Sequence, residues 1–320
     1  MKIVINGAES ISDVPGINAL SGEVDLVCAP DAKRLAEVLP GTEILLGWNF
    51  KGRDLPDAWP LADQLKWIHW CGAGVDAVMF AELSASDVML TNARGLFDRA
   101  MAEYVAGYMI AEMKGFRQTL AAQENATWDY RQTRKLAGTR AVVFGVGSIG
   151  REVGRVLAAL GVEVCGVGRS ARGGDDDFEE IYAQDNAAAA VAAADWVVAV
   201  MPLTAETTGY FGADLFAAMK PGARFINVGR GGSVVEPELI AALESGHLAG
   251  AMLDVFQTEP LTPDDPIWKA PNIMISPHMS GDYAGYHADM VLQFLDNFQR
   301  YRRGEPLLNR VDKALGFVAA

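Results

Sequence analysis

Residues 141–174, AVVFGVGSIGREVGRVLAALGVEVCGVGRSARGG, decide the fold class of this chain. The apolar AVVF predicts a buried strand, and the amphipathic REVGRVLAAL that follows predicts a helix. Between them Gly145, Gly147 and Gly150 form the spacing G-x-G-x-x-G. The first glycine permits a tight turn, the second lets the backbone approach a pyrophosphate, and the third lets the helix pack closely on the strand. The stretch therefore predicts a dinucleotide-binding unit, with the pyrophosphate at the helix N-terminus.

The end of the second strand indicates which dinucleotide binds. An acidic side chain there would accept hydrogen bonds from the adenosine ribose and would repel a 2′-phosphate. This chain instead has Arg169, Ser170 and Arg172 after Gly168. Two guanidinium groups and a hydroxyl suit a dianionic phosphate, although both arginines could be ordinary exposed charges. The sequence favours NADP(H), with NAD(H) as the alternative, and the acidic GGDDD at 173–177 is expected to be a solvated turn.

Composition limits the class of protein. A length of 320 residues suggests two domains, and a formal net charge of -14 argues against nucleic acid and anionic membranes as partners. Three scattered cysteines, Cys28, Cys71 and Cys165, favour a reducing, cytoplasmic location. They lie at no standard zinc spacing from the four histidines, so no metal site is expected. No signal peptide or membrane-spanning run is recognisable.

Strands and helices alternate in two runs, which predicts an α/β protein with doubly wound parallel sheets in two Rossmann-like or flavodoxin-like domains. A long apolar helix over 97–123 separates five predicted strands from six later ones. The last helix, from about residue 283, has no strand after it and is expected to return to the first domain. We therefore predict a discontinuous substrate domain, 1–98 plus 284–320, and a dinucleotide-binding domain, 99–283.

Five ordered motifs resemble the D-isomer-specific 2-hydroxyacid dehydrogenase family, in its glyoxylate/hydroxypyruvate reductase-like branch. They are GVGSIG, PLTAETTGYFG, FINVGRGGSVVE, AMLDVFQTEPL and NIMISPHMSG. LKWIHWCGAGVD and VMLTNARG extend the match, which spans residues 65 to 281. The resemblance implies an NAD(P)-dependent oxidoreductase that interconverts small 2-oxo acids and D-2-hydroxy acids. It also implies a homodimer. The helix over 97–123 has small and apolar residues on more than one side, which suits burial in a dimer interface.

The resemblance further implies a catalytic trio. Arg230 would bind the carboxylate and carbonyl oxygens of the 2-oxo acid, His278 would exchange a proton with the carbonyl oxygen, and Glu259 would hold His278 oriented and protonated. The chemistry agrees, because ketone reduction builds negative charge on oxygen, which a cation and a proton donor stabilise. Taken singly, each of the three could instead be an ordinary loop charge, turn residue or strand-end histidine.

Cofactor and substrate contacts are implied at other positions. Asp254 would contact the nicotinamide carboxamide, and the amides of Gly74 and Val75 would bind the substrate carboxylate. Trp48 and Phe50 could receive an apolar substrate side chain or belong to the core. The residues expected to border the cofactor are Gly145, Gly147, Ser148, Ile149, Gly150, Arg169, Ser170, Met201, Pro202, Thr207, Val228, Gly229, Arg230, Asp254, His278, Ser280 and Gly281.

Several functions stay open at this point. Glyoxylate or hydroxypyruvate is the default substrate. Larger 2-oxo acids are also candidates, because the aromatic residues Trp48, Phe50 and Trp70 could contact a larger side chain. One alternative is a dehydrogenase of another small anion, such as formate or phosphite. Another is a non-catalytic regulatory protein that senses the nicotinamide cofactor, which would need no proton donor. His69 lies in an aromatic strand and is expected to be structural.

Overall fold

The computed structural model describes residues 1–318 and divides the chain into two compact units. The first comprises Met1–Phe97 with the C-terminal segment that begins at Tyr283, and the second comprises Asp98–Asp282. Each unit has a parallel or mostly parallel sheet and a hydrophobic core of its own. None of the helices within 1–318 is long and apolar enough to cross a membrane.

Short strands and helices alternate along the described residues. The strands are β1 (Lys2–Asn6), β2 (Asp25–Ala29), β3 (Ile44–Gly47), β4 (Trp67–Trp70), β5 (Met89–Asn92), β6 (Arg140–Phe144), β7 (Glu163–Gly168), β8 (Arg172–Gly173), β9 (Glu180–Ala183), β10 (Trp196–Ala199), β11 (Arg224–Asn227), β12 (Gly250–Leu253) and β13 (Ile273–Ile275). The α-helices are α1 (Ala32–Val38), α2 (Leu55–Ala58), α3 (Ala81–Ala85), α4 (Asp98–Lys114), α5 (Phe116–Glu124), α6 (Ser148–Ala159), α7 (Ala187–Val191), α8 (Ala213–Ala218), α9 (Glu236–Glu244) and α10 (Tyr286–Arg303).

Both sheets are doubly wound, as predicted. The strand order is β2-β1-β3-β4-β5 in the first unit and β13-β12-β11-β10-β6-β7-β9-β8 in the second. All pairs are parallel except β8 with β9. The strand order of the second sheet reverses between β6 and β10, and ligands of such sheets bind at the carboxyl ends of the strands beside that point. The predicted α/β fold class is confirmed.

The second sheet has eight strands rather than the predicted six. The two that the sequence analysis missed are β8 and β9, which lie at one edge of the sheet. β9 has the sequence EIYA, with only Ile181 fully buried, and β8 is two exposed residues long. Strands this short have no apolar run by which a sequence pattern could identify them.

The predicted helix over 97–123 is two helices. Gly115 adopts φ +63° and separates α4 from α5. α4 buries Met101, Val105 and Met109 within the second unit, whereas α5 buries none of its residues. The large exposed apolar side chains of this region therefore lie on α5 and in the segment after it.

His69 of β4 is fully buried. Its Nδ1 lies 2.9 Å from Thr91 Oγ1, which also accepts a 2.9 Å hydrogen bond from Trp67 Nε1. The rings of Trp67 and Phe294 pack beside the imidazole. Burial lowers the pKa of His69 from 6.5 to about 3, because the charged form would lose its hydration. The residue is structural and neutral.

We expect this histidine to make the fold sensitive to acid. As the pH falls below 6.5, the unfolded chain binds a proton at His69 that the folded chain excludes until about pH 3. Folding stability should therefore drop, by about 2 kcal/mol at pH 5 relative to neutral pH. Urea unfolding of wild type and His69→Gln at both pH values measures this effect. The variant should lose that part of the pH dependence, and the exposed His287→Gln should keep it; equal pH dependence in all three proteins would contradict the prediction.

Candidate active site

The glycine turn between β6 and α6 fits a dinucleotide. Gly145 adopts φ +108°, and a Cβ there would lie 2.9 Å from Met201 N. A Cβ on Gly150 would lie 1.8 Å from Gly145 O, so close packing of the helix on the strand excludes a side chain. A Cβ on Gly147 would meet no heavy atom of residues 1–318 within 4 Å. The second glycine thus borders open space, where a pyrophosphate can approach the backbone and the first amides of α6.

The segment after β7 presents the side chains that were predicted to bind the 2′-phosphate. Arg169 and Ser170 are exposed directly after β7, and Arg172 is exposed in β8. The acidic run behind them is not the solvated turn that the sequence suggested, because Asp175 and Asp177 form ion pairs with arginines of α6. The guanidinium of one of them, Arg151, holds the pKa of Asp175 below its usual range.

Hydrogen bonds within the segment after β10 hold it in a turn. Met201 and Thr207 are buried and Pro202 is exposed. Thr207 Oγ1 donates to Pro202 O at 2.7 Å and accepts from Thr204 N at 2.8 Å. These bonds shape the turn, and the predicted contacts of Met201, Pro202 and Thr207 with the cofactor stay predictions.

Arg230 lies in the loop after β11, and a buried asparagine holds that loop. Asn227 Oδ1 accepts from Gly229 N at 3.0 Å, and Asn227 Nδ2 donates to Arg230 O at 3.0 Å. Ser233 Oγ also donates to Arg230 O, at 2.7 Å. Asn227 therefore fixes the backbone from which the half-buried Arg230 projects. The sequence analysis missed it, although a polar residue that ends an apolar strand was a signal.

The Arg230 loop packs directly against the segment that carries Glu259. A Cβ on Gly231 would lie 1.9 Å from the carbonyl carbon of Phe256, so only glycine fits. Phe256 N in turn donates to Glu259 Oε1 at 2.9 Å. The backbone contact at Gly231 thus positions the Glu259 segment beside the loop of Arg230.

Glu259 and His278 form a hydrogen-bonded pair, with His278 Nδ1 2.7 Å from Glu259 Oε2. The His278 side chain is 29% exposed and that of Glu259 is 31% exposed, so the pair is reachable from solvent but partly desolvated. When Nδ1 donates to the carboxylate, Nε2 is the nitrogen that can exchange a proton with a substrate. His278 adopts φ +55°, a strained conformation for a residue with a side chain.

A buried carboxylate holds the strained His278 segment in place. Asp254 follows β12 and is fully buried. Its Oδ1 accepts from Ser276 Oγ at 2.6 Å and from Met279 N at 2.9 Å, and its Oδ2 accepts from Ser280 N at 2.9 Å. Its backbone oxygen accepts from His278 N at 2.8 Å. Asp254 is thus bonded to the residues on both sides of the histidine.

These bonds give Asp254 a role that the sequence analysis did not foresee. Its predicted contact with the nicotinamide carboxamide stays a prediction, as do the cofactor contacts of Ser280 and Gly281. The residues Arg230, Glu259 and His278 follow β11, β12 and β13 in turn. Because these strands are parallel neighbours, the segments that carry the predicted trio all start from the carboxyl ends of strands in the second sheet.

The predicted substrate residues belong to the first unit. Gly74 and Val75 follow β4, and Asn92 Nδ2 donates to the preceding Ala73 O at 2.5 Å. Asn92 is almost fully buried at the end of β5, so it anchors this glycine-containing segment much as Asn227 anchors the Arg230 loop. The sequence analysis missed Asn92 as well.

Trp48 is part of an aromatic group rather than of the core. It is half-buried, and its ring lies 5.2 Å from that of His287. The His287 ring stacks on Tyr286 at 4.0 Å. A half-buried aromatic surface of this kind can contact an apolar ligand group, which keeps Trp48 a substrate-binding candidate.

Known proteins match this arrangement. The chain matches the family described as D-isomer specific 2-hydroxyacid dehydrogenase, NAD binding domain, over residues 106–280. Glyoxylate/hydroxypyruvate reductase A of Serratia proteamaculans is 32% identical over 223 residues, which cover 68% of this chain and 71% of the relative.

Solved structures resemble the whole chain. An NADPH-dependent glyoxylate/hydroxypyruvate reductase from Sinorhizobium meliloti, in complex with NADP and sulfate, is 29% identical with a TM-score of 0.84, covering 99% of this chain and 100% of that one. A probable 2-hydroxyacid dehydrogenase from Rhizobium etli, in complex with NADP, HEPES and L(+)-tartaric acid, is 26% identical with a TM-score of 0.84, covering 99% of both chains. The chain therefore belongs to the D-isomer-specific 2-hydroxyacid dehydrogenase family of NAD(P)-dependent oxidoreductases.

Proposed function

We propose that this protein reduces a small 2-oxo acid to the D-2-hydroxy acid with NADPH, glyoxylate and hydroxypyruvate being the first substrates to test. The observation that carries the proposal is the 2.7 Å hydrogen bond between His278 and Glu259, in segments that follow the carboxyl ends of β13 and β12, with Arg230 following the adjacent β11. A regulatory protein that only senses the cofactor needs no such pair. The glyoxylate/hydroxypyruvate reductase activity of the relatives supports the choice of substrate.

Each member of the trio has one task in the proposed reaction. The Arg230 guanidinium binds the carboxylate and the carbonyl oxygen of the 2-oxo acid and stabilises the charge that grows on that oxygen. His278 donates the proton from Nε2 to the same oxygen, and Glu259 holds the imidazole in the tautomer and orientation that this needs. When bound, NADPH would supply the hydride to the carbonyl carbon. The amides of Gly74 and Val75 are proposed to bind the substrate carboxylate.

Consumption of reduced cofactor tests this proposal. The purified protein would be supplied with NADPH or NADH against glyoxylate, hydroxypyruvate, pyruvate and phenylpyruvate, and chiral chromatography would identify the product. We expect turnover with NADPH and glyoxylate or hydroxypyruvate, and a D product where the carbon is chiral. Measurable NADPH binding without turnover of any of the four would contradict the proposed substrate class.

The preference for NADPH is proposed to depend on Arg169, and the NADP complexes of two similar structures support that preference. Arg169→Ala should weaken NADPH binding by about 10- to 100-fold, the effect of losing a charge-assisted hydrogen bond to phosphate. NADH binding should change by less than about twofold, since NADH carries no 2′-phosphate. Fluorescence titration with both cofactors measures this, with Arg303→Ala as a control for the loss of one positive charge. Equal losses for NADPH and NADH would contradict the phosphate assignment.

We also propose that the protein is a homodimer. Four large apolar side chains are exposed within fifteen residues: Phe116 and Leu120 on α5 are 51% and 59% exposed, and Trp128 and Tyr130 after it are 98% and 87% exposed. Apolar surface of this extent favours burial against a second copy. Light scattering should give the mass of two chains for wild type and of one chain for Leu120→Asp with Trp128→Asp. A monomeric wild type would contradict the proposal.

A further inference from the structure

A set of ion pairs joins the segment after β7 to helix α6. Arg151 Nη2 lies 2.8 Å from Asp175 Oδ2, and Arg151 Nη1 lies 2.5 Å from Asp177 Oδ2. Arg155 Nε lies 2.7 Å from Asp177 Oδ1. We call these four residues the α6 clamp. One arginine thus bridges two carboxylates, and one carboxylate bridges two arginines.

The α6 clamp is more than a pair of surface contacts. The Asp177 side chain is only 8% exposed and those of Arg151 and Asp175 are 28% and 31% exposed, so solvent screens the Arg151 bonds less than those of a fully exposed pair. The Arg151 guanidinium also lies over the ring of Phe178, 5.7 Å from its centroid, and Phe178 is buried. Charge and an apolar contact therefore hold the same segment on the same helix.

The backbone of the segment is fitted to α6 as well. Asp175 Oδ1 accepts from the amides of Asp177 and Phe178, at 3.1 and 3.2 Å. A Cβ on Gly154 would lie 2.8 Å from Asp177 O, so this glycine lets the segment approach the helix. The acidic run has a defined conformation against α6.

The helix and the segment carry the two ends of the proposed cofactor site. The first amides of α6 follow the glycine turn that fits the pyrophosphate, whereas Arg169, Ser170 and Arg172 begin the segment that Asp175 and Asp177 end. The 2′-phosphate and the pyrophosphate of NADPH are attached to the same ribose, so the distance between them varies only over a limited range. A clamp between α6 and this segment therefore sets where the arginines can meet that phosphate.

We propose that Asp175 and Asp177 are positioning residues for NADPH selectivity, acting through the α6 clamp on Arg169 and its neighbours. This inference rests on the proposed use of NADPH. Without the clamp the segment would have to be ordered when the cofactor binds, and that ordering weakens affinity. The clamp also neutralises two carboxylates that would otherwise repel a dianionic phosphate.

Asp176 provides a matched control inside the same turn. It is exposed, and its side chain makes no ion pair or hydrogen bond with any residue in 1–318. Asp175→Asn, Asp176→Asn and Asp177→Asn each remove one negative charge from the same place. If charge repulsion alone mattered, all three variants would bind NADPH more tightly. If the clamp matters, the first and third must bind it more weakly.

Isothermal titration calorimetry tests the inference. NADPH, NADH and adenosine 2′,5′-bisphosphate are each titrated into the protein without substrate, at fixed ionic strength. We expect Asp177→Asn and Asp175→Asn to weaken NADPH and the bisphosphate by about 5- to 20-fold and NADH by less than about twofold. Asp176→Asn should bind NADPH as wild type does or more tightly. In the Arg169→Ala background, Asp177→Asn should have little further effect, because the residue through which it acts is gone.

Two results would overturn the inference. One is tighter binding of NADPH by all three asparagine variants, which would indicate repulsion without positioning. The other is an equal loss for NADPH and NADH, accompanied by a lower Tm, which would indicate a purely structural role. If wild type shows no preference for NADPH, the proposed cofactor and this inference both fail; if it shows the preference and the variants keep it, only the inference fails. Neither reading depends on the identity of the 2-oxo acid.

Discussion

His278→Ala is expected to lower kcat by about 10³-fold or more, while NADPH binding stays within about threefold of wild type. In the proposed reaction the imidazole, held by Glu259 through Nδ1, is the group that gives its proton to the carbonyl oxygen. Without it, the proposed role of Arg230 would be the remaining means of stabilising the charge that develops on that oxygen. Stopped-flow measurement of cofactor oxidation, with a separate fluorescence titration of NADPH, distinguishes lost chemistry from lost binding.

Glu259→Gln should lower kcat by a smaller but still large factor, about 100-fold. The amide oxygen can accept the bond from His278 Nδ1, but it lacks the charge that stabilises an imidazolium. Glu236→Gln is the matched control, because Glu236 is a neighbouring carboxylate that accepts from Gln257 N and does not contact His278. Unchanged turnover in either His278→Ala or Glu259→Gln would remove the acid–base assignment.

Sequence reasoning predicted the parts of this fold whose signal is local. β6 is an apolar run because both of its faces are buried, and α6 is amphipathic because only one of its faces is buried. The glycine turn between them has a stereochemical reason at each position, which the close approaches at Gly145 and Gly150 confirm. β9 had no comparable signal, because its pairing with β7 compensates for a short and partly exposed sequence.

Residues that act through long-range bonds were beyond that reasoning. Asn92 and Asp254 are buried polar side chains whose partners lie in segments that only the folded chain brings near. Asn227 is different, because its partners Gly229 and Arg230 follow it directly in the sequence. The prediction for Asp175 and Asp177 was wrong because an acidic run is usually solvated. Nothing in the sequence indicated that they would pair with Arg151, which precedes them by 24 and 26 residues. The motifs indicated the proposed reacting groups, and the structure shows which residues hold their segments in place.

Asp254→Ala is expected to lower the free energy of unfolding by about 2 to 5 kcal/mol and kcat by about tenfold or more. The substitution leaves the Ser276 hydroxyl and the amides of Met279 and Ser280 without their carboxylate acceptor in a buried place. Chemical denaturation and steady-state kinetics would be measured on the same preparations. Ser276→Ala is the control, since it removes one donor and leaves both amide bonds intact.

Asp254→Asn separates a role in the loop from a role at the cofactor. An asparagine oxygen can still accept from Ser276 and Met279, but its amide group would then face Ser280 N, donor to donor. If Asp254 chiefly anchors the loop, this variant should lose stability and kcat, with less change in NADPH affinity. If it chiefly contacts the nicotinamide, NADPH affinity should fall while the free energy of unfolding stays within about 0.5 kcal/mol of wild type.

The strained backbone of His278 is the reason to expect the first result. A left-handed conformation costs a residue with a side chain about 1 to 3 kcal/mol, and it persists only where surrounding bonds over-determine it. At φ +55° His278 is held by its own amide on Asp254 O, by the next two amides on the Asp254 carboxylate, and by Glu259. Removing the carboxylate deletes the bonds on one side, so the backbone can relax to negative φ and carry the imidazole away from Glu259. Loss of kcat in Asp254→Asn with little loss in Ser276→Ala would therefore place the anchor in the bond from Ser280 N to the Asp254 carboxylate.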